Sequence, residues 1–589
     1  LVLVWGGILI VCALVVRALA RWARGRTLLR RRRGLLLLAD LPFVAGVLVV
    51  LVLGCVQAFA SLVKPTFNPN DDSLAYFPFA REILDRGTLT QPFSLRRISA
   101  YGGKSLLDAI QLAIDVPETH LHLLDKGLGL LTILALVVGH ARAAPKTSRA
   151  LVLLAMLFVV ALPDTGINTS SMRTAVVFFL GLYRTLSWAP VAGARGVRPA
   201  IPVALLAAGA CTLRQNFLVT IAFTLVLAYG RPIAGSLPLR SLHARGRAAA
   251  VDRSAVIDAA WTAGLLSLFL LPWWALSLRW CGTFLFPVSK GFYDAGYAFF
   301  PSRSSGDWVR YVGANAFWWD PVKAVPLFLL AAVTIRDPRP RSPLAAITWG
   351  AVAGFLGLLL GYSNGHTENQ SRYHFGFTFA AVLAVSLAAA DLASRRAPAG
   401  RIRAAQVVSV PLVLMAISLQ LFVQRDITAA TYRTYFEKVT SALSLWEVPG
   451  RDPDYQKLQD AVPAGAPIAT LVDFPSHFDF ARNRIACLDM IGAVSPPPGI
   501  PLGGGGEAVA DYLVGKGYRY VVVIRPGAAS DLYRRDVWER QQKGEDPIWR
   551  ASAPFYLEAF DAFDDLRRTR VHLADARDMV TLDLTRRQP

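Results

Sequence analysis

The stretch LLLLADLPFVAGVLVVLVLGCVQAFASL, residues 35–62, decides the class of fold. It contains one charged side chain, Asp40, and it is longer than the roughly 20 apolar residues that a membrane-crossing helix needs. Similar runs recur along the chain, which is 54% hydrophobic and only 17% charged, whereas soluble proteins are about 25% charged. The sequence therefore predicts a polytopic α-helical membrane protein.

The apolar runs predict about twelve membrane spans. The chain begins at Leu1 and not at Met, so we expect residues before it and interpret the first run as the end of a helix. The spans are predicted at 1–20, 35–62, 121–140, 149–163, 172–188, 200–213, 216–230, 255–275, 322–335, 343–361, 374–392 and 405–424.

The net charge of +21 indicates membrane topology and not nucleic-acid binding, because no basic face with interleaved aromatic residues appears. Lys and Arg concentrate in every second loop, and basic loops mark the cytoplasmic side. These loops are 17–33, 140–149, 189–199, 231–253, 336–342 and 393–404. The remaining segments are therefore predicted to be external: 63–120, 164–171, the turn at Arg214, 276–321, 362–373 and everything after 425.

Two domains are predicted, a transmembrane domain at 1–425 and a soluble extracytoplasmic α/β domain at 426–589. In the second domain PIATLVD, RIACLDM, YRYVVVI and MVTLDL have the composition of strands, while GEAVADYLVGKG and 528–543 have that of helices. In the first domain, the long external loop 63–120 contains two amphipathic segments, SLAYFPFAREILD and KSLLDAIQLAI.

An acidic pair, Asp71 and Asp72, follows the span at 35–62 within NPNDDSLAYFPFA. One carboxylate of such a pair is suited to act as a general base on a hydroxyl group. The pair is also suited to bind a divalent cation such as Mg or Mn. The simpler alternative is a helix N-terminus, where acidic residues are favoured. The sequence alone leaves these three interpretations open.

Several cationic and polar side chains share the predicted external surface with the acidic pair. Arginine donors grip phosphate oxygens well, so this surface suits an anionic lipid headgroup. Candidate phosphate ligands are Arg372, Arg214, Arg96, Arg97 and Lys104, and candidate substrate ligands are Tyr373, His366, Glu368 and Tyr101.

This layout resembles the GT-C superfamily of integral-membrane glycosyltransferases. The superfamily includes protein O-mannosyltransferases, the lipid A aminoarabinose transferase and mycobacterial arabinofuranosyltransferases. The matching elements are Asp71–Asp72 in the first external loop and Arg372–Tyr373 in SRYHF of a late external loop. The chain departs from the usual pattern because at least one predicted span precedes the helix that leads into the acidic loop.

The resemblance implies a polyprenyl-phosphate sugar donor, a glycan, lipid or protein acceptor, and an inverting displacement. It casts Asp71 as the base, Asp72 as its helper or a metal ligand, and the arginines as ligands of the leaving phosphate. It also implies a bacterial inner membrane with an extracytoplasmic site.

Other functions remain open from the sequence. A lipid-linked glycan polymerase or ligase would use HTENQSRYH, residues 366–374. A transporter or flippase would place charges within spans and repeat its halves, and neither feature is evident. A scaffold would use the C-terminal domain to bind partners. Substitution of the acidic pair distinguishes a transferase from a flippase or a scaffold.

Overall fold

The structure is a computed structural model of the chain. It describes residues 33–63, 69–143, 148–162, 171–188, 196–235, 253–286, 288–294, 324–335, 343–361, 367–394, 401–441, 452–490, 492–525, 528, 530, 533–545 and 547–589. The predicted first span, 1–20, lies outside these ranges.

Apolar helices make up the first part of the molecule, and two of them, Met172–Trp188 and Pro343–Gly361, begin and end where the sequence predicts. The others are Arg33–Val63, Leu130–Ala143, Arg149–Ala161, Val197–Leu213, Phe217–Gly235, Arg253–Cys281, Val325–Thr334, Thr367–Ala393 and Arg401–Ser441. Leu130–Ala143 continues a π-helical turn, Leu124–Gly129.

Five helices among the described residues are long and apolar enough to cross a membrane: Leu41–Ala58, Glu118–Ala141, Ala255–Cys281, Arg372–Ala393 and Val407–Glu437. Other apolar helices are shorter. Arg149–Ala161 has 13 residues and reaches only about 20 Å of a hydrocarbon core about 30 Å thick. The predicted helical membrane protein is thus confirmed in kind, but the count of twelve spans is not.

Helix Pro343–Gly361 packs closely against Phe217–Gly235. A Cβ atom at Gly350 would lie 2.0 Å from Thr224 Oγ1, and one at Gly354 would lie 1.8 Å from Thr220 Oγ1. Both glycines are therefore needed where the two helices meet, as is common between membrane helices.

The segment that follows Arg33–Val63 is mostly helical. A π-helical turn, Pro69–Tyr76, leads directly into helix Phe77–Arg86, which ends at Gly87 in the left-handed conformation. Glycine adopts this conformation without the steric penalty of a Cβ atom. A short helix, Leu95–Ile98, and a longer one, Gly103–Ala113, follow. The two predicted amphipathic segments are thus helices, and we call 69–120 the first loop.

The C-terminal part contains a five-stranded sheet in the order β2-β1-β3-β5-β4. The strands are β1 Ile468–Leu471, β2 Ile485–Cys487, β3 Tyr520–Ile524, β4 Arg570–Ala576 and β5 Met579–Arg587. β1 pairs in parallel with β2 and β3, whereas β5 pairs antiparallel with β3 and β4. β1 is buried throughout, as expected for a strand inside a parallel sheet.

Helices flank this sheet, and the expected small α/β fold is present. They are Pro453–Asp460, Gly505–Gly515, Arg535–Lys543 and Pro547–Thr569. Four strands and two helices correspond to the predicted elements, but β4, Pro453–Asp460 and Pro547–Thr569 were not predicted. Residue 425, the predicted domain boundary, lies inside the continuous helix Arg401–Ser441, and we call 452–589 the C-terminal domain.

The C-terminal domain contacts the first loop through Gln91, whose side chain forms the hydrogen bonds that a neighbouring strand would form with β2. The buried Gln91 accepts a hydrogen bond from the Cys487 backbone N–H at 3.0 Å and donates one to the Ile485 carbonyl at 3.0 Å. A neighbouring strand would bond the same two groups, so the amide of Gln91 takes the place of a peptide unit beside β2. Glu82 fixes this amide by accepting a second bond from Gln91 Nε2 at 3.0 Å.

Apolar contacts accompany this bridge. Phe93 of the first loop packs edge to face against Tyr518, with ring centroids 5.7 Å apart, and lies in the same buried cluster as Val521 of β3. A second segment also reaches the domain, because Tyr293 forms a β-bridge with Val494. The docking therefore places the end of β2 next to the helix Leu95–Ile98.

Candidate active site

The acidic pair lies in the first turn of the π-helical turn Pro69–Tyr76. π-Helical turns are rare and frequently occur at functional sites. The two carboxylates have different surroundings: Asp71 lines a cavity, and Asp72 is fully buried and is not among the cavity's lining residues. The structure thus places two residues that are adjacent in sequence in different surroundings.

The cavity lies where the first loop meets the membrane helices. Its walls come from the first loop, the turn between Val197–Leu213 and Phe217–Gly235, and the start of Arg372–Ala393. Its polar lining residues are Asp71, Tyr76, Arg96, Ser99, Lys104, Ser105, Ser171, Arg214, Asn216, Arg372 and Tyr373. Six residues that the sequence proposed therefore converge: Asp71, Arg96, Lys104, Arg214, Arg372 and Tyr373.

Asp71 is held between two arginines. Arg96 Nε donates to Asp71 Oδ1 at 2.9 Å, and Arg372 Nη1 donates to Asp71 Oδ2 at 3.2 Å. The Asp71 side chain is 20% exposed, so it remains accessible from the cavity. Both oxygens of Asp71 are thus engaged by guanidinium groups, which orient the carboxylate.

Arg96 also contacts a second carboxylate, that of Asp489 in the C-terminal domain, through Nη1. Burial alone would lower the pKa of Arg96, but the charges of Asp489 and Asp71 outweigh burial and raise it above its ordinary value. Arg96 therefore carries a permanent charge that two carboxylates already balance. Asp489 lies almost 400 residues from Arg96 in the chain and was not predicted as a site residue.

Arg214 and Tyr373 form one wall of the cavity. The Arg214 guanidinium carbon lies 4.6 Å from the centroid of the Tyr373 ring. Such stacking uses the face of the guanidinium and does not occupy its N–H donors. Asn216 Nδ2 donates to the Tyr373 carbonyl at 3.0 Å and ties the helix hairpin to this wall.

Tyr76 is a cavity residue that the sequence analysis missed. Its burial, together with the charge of Asp71, raises the pKa of Tyr76 to about 12, although Arg214 acts in the opposite direction. The hydroxyl group therefore keeps its proton at neutral pH and can donate a hydrogen bond. Tyr76 lies five residues after Asp71, which is the hydrogen-bond spacing of a π-helix, so the two lie near the same face.

Lys104 also lines the cavity and forms an ion pair with Asp108 one helical turn later. Burial raises the pKa of Asp108 to about 6, while Lys104 acts to lower it. At neutral pH Asp108 is thus ionised and neutralises Lys104 in part.

Other residues proposed from the sequence are not among the residues that line the cavity. Arg97 Nη1 donates to the Ala100 carbonyl at 2.8 Å and to Ser277 Oγ at 3.2 Å, and the Tyr101 hydroxyl donates to the Phe284 carbonyl. Both side chains connect the first loop to helix Arg253–Cys281 and the residues after it. His366 and the side chain of Glu368 lie outside the described residues.

No group of three His, Cys, Asp or Glu side chains suited to a metal ion occurs within the part of the chain that the structure describes. A cation bound to Asp71 would compete with Arg96 and Arg372, which hold its two oxygens. The suggested Mg or Mn site on Asp71 and Asp72 stays a prediction.

No protein-family model matches the sequence, and a comparison with curated proteins gives no match. Among solved structures, the chain is similar to ArnT from Cupriavidus metallidurans, with 13% identity, a TM-score of 0.45 and coverage of 92% of this chain and 98% of that one. It is also similar to the arabinofuranosyltransferase AftD from Mycobacteria and to the Archaeoglobus fulgidus oligosaccharyltransferase, with 14% and 12% identity and TM-scores of 0.44 and 0.42.

The similarity covers 82% of this chain and 37% of AftD, and 86% of this chain and 72% of the oligosaccharyltransferase. The chain thus spans little more than a third of AftD. All three structures are of GT-C membrane glycosyltransferases, the superfamily that the sequence motifs resemble.

Proposed function

We propose that this chain is a membrane glycosyltransferase that moves a sugar from a polyprenyl-phosphate donor to an acceptor hydroxyl. The observation that carries the proposal is the cavity itself: one carboxylate, Asp71, lines it together with four cationic side chains, Arg96, Arg372, Arg214 and Lys104. This set suits a reaction in which a hydroxyl loses its proton while negative charge develops on a phosphate.

The donor phosphate would bind Arg372 and Arg214, with Lys104 as a third ligand. Arg96 is less suited to this task because two carboxylates already engage it. The lipid chain would extend between the apolar helices. Tyr76 and Tyr373 would contact the sugar, since aromatic rings and hydroxyl groups suit a polar ring with apolar faces.

Transfer would proceed by one displacement with inversion. The acceptor oxygen forms a bond to the anomeric carbon as the bond between that carbon and the phosphate oxygen breaks. The acceptor proton moves to Asp71, and the electron pair of the broken bond remains on the lipid phosphate. Arg372 and Arg214 would stabilise this charge, and removal of one such donor lowers a rate by about 100-fold.

The pattern of basic loops supports an extracytoplasmic site. The bacterial inner membrane and a glycan, lipid or protein acceptor are what the resemblance to the GT-C superfamily implies. A form of the proposal in which Mg or Mn assists requires the ion to displace Arg96 or Arg372 from Asp71. The two forms differ in their response to a chelator.

Purified protein assayed with a panel of radiolabelled polyprenyl-phosphate sugars tests the proposal. We expect the wild type to consume one donor and Asp71→Asn to be slower by about 1,000-fold, within the usual contribution of a general base. Asp115→Asn is the matched control, because Asp115 is exposed in the same loop and has φ of 60°, which Asn tolerates. Full activity of Asp71→Asn, or no turnover of any donor, would refute the proposal.

A further inference from the structure

Asp489 brings a buried charge from the C-terminal domain to the edge of the cavity. It follows β2 closely, and its side chain is fully buried. Each of its oxygens has a partner from the first loop: Arg96 Nη1 contacts Oδ1, and Ser94 Oγ donates to Oδ2 at 2.8 Å. A buried carboxylate with both oxygens engaged is held in one orientation.

Arg96 transmits that orientation to Asp71. Its planar guanidinium contacts Asp489 through Nη1 and Asp71 through Nε, so the position of one carboxylate restricts the other. Ser94 also fixes the start of helix Leu95–Ile98, which carries Arg96. Its hydroxyl accepts a hydrogen bond from the Arg97 backbone N–H at 3.3 Å.

Arg372 is less suited to this task while a donor is bound, because the donor phosphate competes with Asp71 for its guanidinium. In the proposed function its guanidinium ligates the donor phosphate and leaves Asp71 Oδ2, which then accepts the acceptor proton. Arg96 remains as the arginine that aims the base, and it needs a fixed partner of its own. Asp489 is that partner.

We propose that Asp489 is a positioning residue of the transferase, which acts through Arg96 on Asp71, and that the C-terminal domain thereby completes the active site. This inference rests on the proposed function. It predicts that the substitution of Asp489 affects catalysis only as long as Arg96 is present.

A double-mutant cycle tests this dependence, because residues that act through one another show non-additive effects. The variants are Asp489→Asn, Arg96→Gln and the double variant, each assayed for kcat and donor KM. We expect kcat to fall about 10-fold in Asp489→Asn and about 100-fold in Arg96→Gln, since small misplacements of a reacting group reach this size. The double variant should match Arg96→Gln within about 2-fold, and donor KM should stay within about 2-fold in Asp489→Asn.

Asp561→Asn is the matched control for the same substitution in the same domain. Asp561 pairs with Arg535 on the surface, where such pairs contribute little. Its kcat should equal that of the wild type. A double variant slower than Arg96→Gln by a further 10-fold, or a normal kcat in Asp489→Asn, would overturn the proposal.

A second measurement separates this proposal from the proposed function. Thermal unfolding midpoints of the wild type, Asp489→Asn, Arg96→Gln and the double variant are measured without substrate. The direct contact between Asp489 and Arg96 predicts that the midpoint shifts of the two single variants do not add up to that of the double variant. If the wild type consumes no donor, the proposed function fails, and additive midpoints would then overturn the contact as well. If the wild type is active but the effects of the two substitutions on kcat multiply in the double variant, the positioning role of Asp489 fails and the proposed function stands.

Discussion

Gln91→Ala should detach the edge of β2 from the first loop. In the folded protein the Gln91 amide bonds the Cys487 N–H and the Ile485 carbonyl, each at 3.0 Å, and both residues are buried. Alanine removes both partners without adding volume. The two backbone groups then face an apolar space or water that enters the gap.

The expected effect follows from these two contacts. A buried polar group that loses its partner costs about 1–3 kcal/mol, so two such groups cost about 2–6 kcal/mol. Water in the gap would bring the loss toward the lower limit. Since 1.4 kcal/mol is a factor of ten, even about 2 kcal/mol weakens the docking equilibrium about 30-fold.

Hydrogen exchange of the backbone amides measures this loss directly. The Cys487 N–H has Gln91 as its acceptor, whereas the Leu488 N–H donates to the Thr470 carbonyl inside the sheet at 2.9 Å. Mass spectrometry with fragmentation of the peptide at 484–489 distinguishes the two. In Gln91→Ala, we expect exchange at Cys487 to accelerate by about 30-fold or more, while Leu488 keeps its protection.

Gln459→Ala provides the comparison. Gln459 donates to the Asp479 carbonyl at 2.8 Å and to Asn483 Oδ1 at 3.0 Å, both within the C-terminal domain. Its loss should accelerate exchange at Cys487 and Leu488 alike, because it weakens the domain and not the docking. Unchanged protection of Cys487 in Gln91→Ala would refute the bridging role of Gln91.

Three further predictions concern the cavity. Arg372→Ala should raise the donor KM at least about 10-fold and leave the acceptor KM unchanged; an equal rise in both would contradict a phosphate contact. Burial raises the pKa of Asp108 from 3.8 to about 6, so the folded state binds its proton more tightly than the unfolded state does. This residue's contribution to the free energy of unfolding is therefore greatest below about pH 4 and is lost as the pH rises through about 6. The difference between the two pKa values corresponds to about 3 kcal/mol. The unfolding midpoint of Asp108→Asn should therefore depend less on pH between 4 and 6 than that of the wild type. The same pH dependence in both proteins would contradict the raised pKa of Asp108. EDTA should leave the transfer rate within about 2-fold, whereas a loss that Mg or Mn restores would establish the metal-assisted form.

Residues of the site that carry a local signal could be predicted from the sequence. Asp71 follows a long apolar run, and Arg214 interrupts two apolar runs, so both stand out as polar groups next to a membrane. The neighbouring residues were harder to resolve. Arg96 and Arg97 are adjacent on a helix and point about 100° apart, so Arg96 reaches Asp71 while Arg97 reaches Ser277.

Other features depend on geometry that a sequence pattern does not reveal. Tyr76 shares a face with Asp71 only because the backbone there is π-helical and not α-helical. Asp489 reaches the cavity because the C-terminal domain docks on the first loop, a contact between distant segments. β4 was missed because it follows helix Pro547–Thr569 without a break, and because Arg570, His572 and Asp575 interrupt its apolar residues.

The bridge between Gln91 and β2 also bears on how the soluble part would behave outside the whole molecule. β2 is an outer strand of the sheet, and Gln91 bonds its outward-facing Cys487 N–H and Ile485 carbonyl. An excised fragment of 452–589 would present this strand unpaired, together with the apolar surface that Phe93 covers. Such exposed edges recruit further strands, so the isolated fragment is expected to self-associate through β2 unless it is expressed with the first loop.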